Sequence, residues 1–427
     1  MSRRTAAAAL AVLVLGFAAT LWVRPWSDER VSDLFVYRQA AEPMLHGQLP
    51  YRDVFFEYPP LAAPVITLPG LAGTGEAAYR LAFAGLALAL AAALVLLCGS
   101  LAARTGGDRR RAVLAAALAP LLCGAMIRTH FDLAPVVLTL GALLLLCQGR
   151  PRLGLAVLGL GAMTKGFPLV AAPAALAWVA TRDGRRTAVG AAVALVLAMT
   201  LPAALAVAAS PDGAWDAVRY HVERPVQIES SPAQVLRALD GVGLGHARSV
   251  NSYRSDGLEH QASGAVTGVF VGLLLIVLAL LAAAAARAPA DARRLVLATL
   301  ASITAFAALG KVLSPQFLIW VVPLMALAVA WRMHALAATA AAAIALTLLE
   351  FPSRYFDLVD REPFPVAVVV VRDALLLALI GLAARELFRG QQQLLDRRGQ
   401  PVLAGLDEHG VEPGILVRRL EADVGER

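Results

Sequence analysis

Residues 149–186 read GRPRLGLAVLGLGAMTKGFPLVAAPAALAWVATRDGRR. An apolar stretch over 153–180 lies between two arginine clusters and is broken in its middle by Lys165-Gly166-Phe167-Pro168. Short arginine-rich connections stay on the cytoplasmic side of a membrane, so a segment flanked by them at both ends has to enter and return. Its halves are too short for a full crossing. Residues 153–164 rise only ~18 Å at about 1.5 Å per residue, against a hydrocarbon core of ~30 Å. The turn carrying Lys165 therefore stops below the outer surface, and an ammonium at that depth has to line a polar cavity or meet an anion.

The pattern recurs at 112–147, interrupted by Arg128, His130 and Asp132, and at 295–331, interrupted from Gly310-Lys311 to Ser314-Pro315. Residues 5–23, 79–102, 187–208, 264–286, 335–350 and 366–385 are uninterrupted apolar spans. The arginine-bearing connections 103–111, 149–152, 181–186 and 287–294 share one side only if each broken region is a hairpin. The expected architecture is an all-α polytopic membrane protein of about 12 transmembrane or half-spanning helices, both termini cytoplasmic. Residues 1–388 form the membrane domain, with long outer loops at 24–78 and 209–263, and 389–427 a charged cytoplasmic tail.

Composition agrees. The chain is 59% hydrophobic and 16% charged, whereas soluble domains run roughly 45–50% and about 25%. A net charge of +7 does not mean nucleic acid here, because no basic face with interleaved aromatics appears. Cys98, Cys123 and Cys147 lie in apolar segments without a CxxC pair, which gives neither a disulfide framework nor a metal signature. Arg3 and Arg4 before Thr5–Val23 look like the start of a secretory signal. The apolar run is longer than a signal core and lacks a small-x-small cleavage site, so an uncleaved first helix is expected.

Lys165 and Lys311 are the only lysines in an arginine-biased chain, and both fall at outward hairpin tips. A lysine is a compact point charge on a flexible stem, suited to meeting an anion. In the first outer loop Val31, Leu34, Phe35, Ala41 and Leu45 give a helical stripe with Gly47 as a stop and Pro43 near its end. Residues 61–69 are apolar but too short to span, which reads as re-entrant or interfacial. The second outer loop, with its glycine- and serine-rich run to Ser263, is expected to fold over the cavity as a lid.

The stretch SDLFVYRQAAEPMLHGQLPYRDVFFEYPPLAAP at 32–64 resembles the first outer loop of bacterial membrane glycosyltransferases of family eighty-seven, in the GT-C superfamily. Arg128-x-x-x-Asp132-x-x-Pro135, Thr164-Lys165-Gly166-Phe167-Pro168 and Lys311-Val-Leu-Ser-Pro-Gln316 look like that family's later landmarks. The resemblance implies a GT-C-like bundle whose outer loops form the active site. It also implies a sugar, mannose in members from actinobacteria, delivered on a polyprenyl phosphate to a lipid or glycan acceptor at the outer face of the cell membrane. An aspartate early in the first outer loop is the base in that family, and the position maps to Asp33. No second carboxylate adjoins it, so a metal-dependent mechanism is doubtful, and no cofactor is expected beyond the donor lipid.

Transfer of a sugar from a lipid phosphate needs one proton removed from the acceptor and one leaving anion stabilised. Asp33 as base, with Arg128, Lys165 and Lys311 toward the phosphate, is a sufficient set for inversion. Asp33 also reads as an ordinary helix cap after Ser32. Asp53 and Glu57 are the runners-up, or acids paired with Arg52. Arg128 and Asp132, four apart, form an ion pair or touch the substrate. His130 and His221 hold an acceptor hydroxyl or are structural. Arg224 and Glu229 are candidates for sugar contact, and Glu57, Tyr58 and Gln316 complete the candidate substrate contacts, with Tyr51, Phe55, Phe56 and Tyr58 also reading as interfacial anchors. Arg372-Asp373 reads as a mutually neutralised pair with snorkelling. The rival functions are a secondary transporter or lipid-linked-sugar flippase and a non-catalytic assembly partner.

Overall fold

The computed structural model describes residues 3–288 and 291–399 and shows an all-α membrane bundle with one small sheet. Helix α1 (Arg3–Trp22) leads into the first loop, where α2 (Leu34–Leu45) and α3 (Ala62–Thr67) precede the long α4 (Glu76–Arg104). The first broken region comprises α5 (Arg109–Ala117), α6 (Ala119–Cys123), α7 (Met126–Thr129) and α8 (Leu133–Cys147). The second comprises α9 (Pro151–Thr164), a 3₁₀ turn over Phe167–Ala171 and α10 (Ala172–Arg182). With 14 residues, α9 is ~21 Å long and falls short of the hydrocarbon thickness. Lys165 ends it in extended backbone (φ −155°, ψ 130°).

Helix α11 (Arg185–Ala209) opens the second loop, which folds as α12 (Pro211–Glu223), β1 (Val226–Gln227), α13 (Ser231–Gly241), β2 (Arg248–Ser252) and β3 (Ser255–Glu259). Ser210 and Ser230 cap α12 and α13 by accepting from Gly213 N and Ala233 N, and each is followed at once, or one residue later, by a proline that suits a helix start. Then come α14 (Ser263–Ala286), α15 (Ala292–Leu309), a 3₁₀ turn over Pro315–Val321, α16 (Val322–Ala330), α17 (His334–Glu350), α18 (Tyr355–Val359) and α19 (Pro363–Gly399). The body ends at Leu387, and a second unit begins at Phe388. The tail expected at 389–427 is helical as far as Gly399, and the remainder lies outside the described residues.

All three broken regions are hairpins, as the arginine pattern requires. At one end the arginine-bearing turns join: Trp331 Nε1 donates to Thr105 Oγ1 (2.9 Å), and Asp108 N to the Ala330 carbonyl (3.0 Å). Six helices among the described residues are long and apolar enough to cross a membrane: α1, α4, α11, α14, α15 and the Pro363–Arg389 part of α19. The apolar window of α15 is 83% buried, against 17% in α11 and 22% in α14. A half of a broken region is thus the centre of the bundle, while α11 and α14 lie at its rim.

Two expectations for the loops change. The second loop carries an antiparallel sheet in the order β1-β3-β2, with Val226 opposite Leu258 and Ser252 opposite Ser255. Its hairpin turns on Tyr253 and Arg254, both at positive φ (52° and 51°). The aromatic run of the first loop is not an interfacial girdle. Tyr51 and Phe56 are buried with Tyr37, Phe83 and Phe131 in one core, and only Phe55 is exposed. The loop folds back on the bundle, and burying those rings removes more apolar surface from water than an interfacial position does.

Helices α9 and α11 meet through small residues, as membrane helices do when packing rather than water drives association. A Cβ on Gly159 would lie 2.8 Å from the Leu195 carbonyl oxygen and 3.1 Å from Ala198 Cβ. Gly159→Leu is therefore expected to cost ~1–3 kcal/mol or more, read as a lowered thermal midpoint in detergent. The same change at Gly85, where nothing lies within 4 Å, is expected to leave the midpoint unmoved.

Candidate active site

Both long loops and two of the hairpin tips meet around a cavity of about 860 Å³. Its wall includes Asp33 from the first loop, Glu57 and Tyr58 beyond α2, Lys165 at the second tip, His221 and Arg224 at the end of α12, and Lys311 with Gln316 at the third tip. Eight of the residues singled out in the sequence, scattered over 284 positions (33 to 316), thus share one space.

Asp33 stands at the cap position of α2 but makes no capping bond. The hydroxyl of Ser32 takes the Leu34 amide instead (3.3 Å). The Asp33 carboxylate, 36% exposed, accepts from the Tyr37 hydroxyl (3.1 Å) and lies 3.5 Å from His130 Nε2. Helix capping therefore does not account for this aspartate, and its carboxylate is presented to the cavity.

Lys165 is held inside the protein. Its Nζ donates to both oxygens of Asp132 (2.8 and 2.7 Å) and sits over the rings of Phe131, Phe317 and Trp320. Asp132 is fully buried and also accepts from Trp320 Nε1 (2.6 Å). The Arg128–Asp132 pair considered from the four-residue spacing does not form. His130 is extended (φ −132°, ψ 146°) and breaks the helix between them, so the geometry that brings i and i+4 together is absent. Arg128 turns the other way. It donates to the Thr20 carbonyl (2.9 and 2.6 Å) and to Glu29 (2.5 Å), and is buried. Arg128, His130 and Asp132 lie behind the cavity wall rather than in it.

The third tip is charged differently. Lys311 Nζ donates to the carbonyls of Val222 (2.7 Å) and Arg224 (2.8 Å), which are neutral acceptors. Burial and the nearby Arg224 charge hold its ammonium below the ordinary lysine value. Arg224 donates to Ser255 Oγ (2.8 Å), and its Nε is buried without a partner. Neither cation has a carboxylate within salt-bridge distance among the described residues, so here the cavity has unneutralised positive charge. His221 Nε2 contacts the Glu57 carbonyl (2.8 Å), which only accepts, so that nitrogen carries the proton. Burial lowers the affinity of this ring for a second proton. Gln316 is bonded to Ser314 Oγ. The Tyr58 phenol is pushed well above its ordinary value by burial, with Asp33 and Glu57 adding, and stays a neutral hydroxyl.

Other residues complete the wall that sequence reasoning passed over. Trp320 anchors Asp132, and Tyr253, Arg254 and Ser255 enter from the sheet. Arg254 lies 3.7 Å from Glu57 Oε1. Asp53 is paired with Arg52 in solvent, as the ion-pair alternative for that acid has it. Thr267, Val271 and Leu274, on one face of α14, continue the cavity as an apolar wall with Phe306 and Leu309 of α15. Beyond this wall, Arg372 does not snorkel: it is fully buried, pairs with Asp373 (2.9 Å) and donates to the Glu229 carbonyl (2.5 Å).

A sequence profile described as Glycosyltransferase family 87 matches residues 55–315, more than half of the chain. The chain belongs to glycosyltransferase family 87. Lys165, His221, Arg224 and Lys311 of this family member fall within the matched segment, and Asp33 precedes it. No curated protein matches the sequence. Two solved structures of an oligosaccharyltransferase from Archaeoglobus fulgidus are similar to it, one in complex with Zn and sulfate and one tethered with an acceptor peptide. They are 14% and 13% identical, with TM-scores of 0.41 and 0.40, over 86% and 89% of this chain and 53% and 55% of theirs. The family member spans about half the length of those proteins. Among the described residues no three His, Cys, Asp or Glu side chains group as a metal would require.

The buried Lys165–Asp132 pair sets a double-mutant test. Asp132→Asn leaves an ammonium in a largely apolar box and is expected to destabilise the protein by about 3 kcal/mol or more. Asp132→Asn combined with Lys165→Met is expected to recover most of that loss in thermal unfolding.

Proposed function

We propose that this family 87 member transfers a hexose, mannose as the sequence resemblance implies, from a polyprenyl-phosphate carrier to a hydroxyl of a lipid or glycan acceptor. The observation that carries the reading is one cavity whose wall contains a carboxylate free of any capping bond, two cations, Lys311 and Arg224, without counter-ions among the described residues, and an apolar strip along α14 and α15. A substrate fitting all three has a hydroxyl to be deprotonated, an anionic head group and a hydrocarbon chain.

In this reading Asp33 takes the proton of the acceptor hydroxyl as its oxygen attacks the anomeric carbon. The bond from that carbon to the phosphate oxygen breaks, and the electron pair leaves on the phosphate. Lys311 and Arg224 stand where that charge develops, so they act more strongly on the transition state than on the bound ester. Lys165 keeps most of its charge against Asp132 and shapes the cavity rather than neutralising the phosphate. Attack from the side opposite the phosphate inverts the anomeric centre. The site opens at the outer face, with both termini and the arginine-rich turns in the cytoplasm.

The primary test is a reconstituted assay with polyprenyl-phosphate mannose and membrane lipid extract, following loss of the donor. Asp33→Asn is expected to bind donor and melt like the parent while turnover falls ~10²–10⁴-fold; full activity in that variant would move the base elsewhere. Because the Lys311 ammonium is held below its usual value, its charge is lost earlier as pH rises. Affinity for polyprenyl phosphate is therefore expected to be intact at neutral pH and to weaken on the alkaline side. In Lys311→Arg, binding measured the same way is expected to lose that alkaline decline.

A further inference from the structure

Helix α12 has three faces. Ala214 and Ala217 pack against the aromatic core around Tyr37, while Tyr220 and His221 line the cavity. Asp212, Asp216, Arg219 and Glu223 form a charged face, on which Arg219 and Glu223 pair at 2.7 Å. Trp215, Val218 and Val222 recur at the spacing that puts side chains on one stripe of a helix. They are 64%, 50% and 68% exposed. An apolar stripe beside a charged one marks a surface that something covers.

The neighbouring helix identifies the cover. Only Ser210 separates α11 from α12. The apolar window of α11 is 17% buried, and near its end Leu201 and Leu205 are both exposed. In a helix that crosses a membrane such side chains meet lipid. Ser210 is extended (φ −161°, ψ 106°), so the helix axis breaks where α11 ends. Gly213 then holds the first turn of α12 to the first loop, because a side chain there would have no room against the Tyr51 carbonyl.

We infer that the Trp215, Val218 and Val222 stripe docks on the membrane surface, with these side chains at the boundary between head groups and acyl chains. The lipid that meets α11 continues beneath α12. Tryptophan is favoured at that boundary, and a helix with separate apolar and charged faces lies in its plane. The charged face has three acids against one arginine, so burial of the stripe, not attraction to anionic lipid, holds the helix down. Val222 ends the stripe and also borders the cavity, where its carbonyl accepts from Lys311 (2.7 Å). Docking therefore sets the cavity rim level with the head groups, where a lipid-borne substrate is presented. It does so whatever group the protein transfers.

Spin labels on single cysteines test the docking in full-length protein in nanodiscs. The background carries Cys147→Ala, since Cys98 and Cys123 are buried. Trp215→Cys and Val218→Cys label the stripe, Asp212→Cys and Asp216→Cys the charged face, and Leu205→Cys serves as the lipid-facing reference. Relaxation by oxygen, which concentrates in lipid, is compared with relaxation by a water-soluble nickel chelate. Positions 215 and 218 are expected to favour oxygen several-fold, as position 205 does, and positions 212 and 216 to favour nickel. The same pattern is expected in phosphatidylcholine and in phosphatidylglycerol. Nickel access at 215 and 218 equal to that at 212 and 216 puts the stripe in water and overturns the inference. Exclusion of both reagents from 215 and 218 means that protein covers the stripe, which overturns it equally. An oxygen preference confined to phosphatidylglycerol makes charge the cause and also contradicts it. If Trp215→Cys fails to insert, Val218→Cys decides alone.

Discussion

A charge cannot be left where a half-length helix ends. Helices α9 and α10 are too short to cross, so the tip between them is expected at a depth where an unpaired ammonium is costly. Asp132, delivered by the neighbouring hairpin, neutralises Lys165, and the rings of Phe131, Phe317 and Trp320 enclose the pair. Three hairpin tips are thereby tied together: Asp132 from the first, Lys165 from the second and Trp320 just past the third. The cavity wall builds on that knot, since Lys165, Phe317 and Trp320 all line it.

The knot also separates the two lysines by task. Lys165 has a carboxylate and spends two donors on it, while Lys311 has only backbone carbonyls and keeps its charge. One lysine holds the scaffold, and the other, with Arg224, supplies positive potential facing an enclosed space. An apolar strip on α14 and α15 adjoins that potential, and α14, near the rim of the bundle, is largely uncovered by other helices. That combination is what the proposed donor, an anionic head on a long chain, asks of the site.

Much of this was legible because membranes impose lengths. The arginine-bearing turns and the short apolar halves gave the hairpins, and the two isolated lysines marked two of their tips. Pairing was less legible. The spacing of Arg128 and Asp132 suggested each as the other's partner, but His130 breaks the helix between them, and each finds a partner far along the chain. The sheet was hidden for a local reason. A two-residue hairpin turn with both residues at positive φ normally signals itself with Asn-Gly or Asp-Gly, and here Tyr253-Arg254 does the work under tertiary constraint. The Glu229 contact with Arg372 joins positions 143 residues apart and leaves no sequence pattern at all.

The account stands on an anionic head group seated at the third tip, across the same cavity as Asp33. Cryo-electron microscopy of the protein in nanodiscs with polyprenyl phosphate tests this directly. Phosphate density within hydrogen-bond reach of Lys311 and Arg224, its chain along α14 and α15, is the expected result. Head-group density outside the cavity, with those two side chains unmoved and solvated, would contradict it.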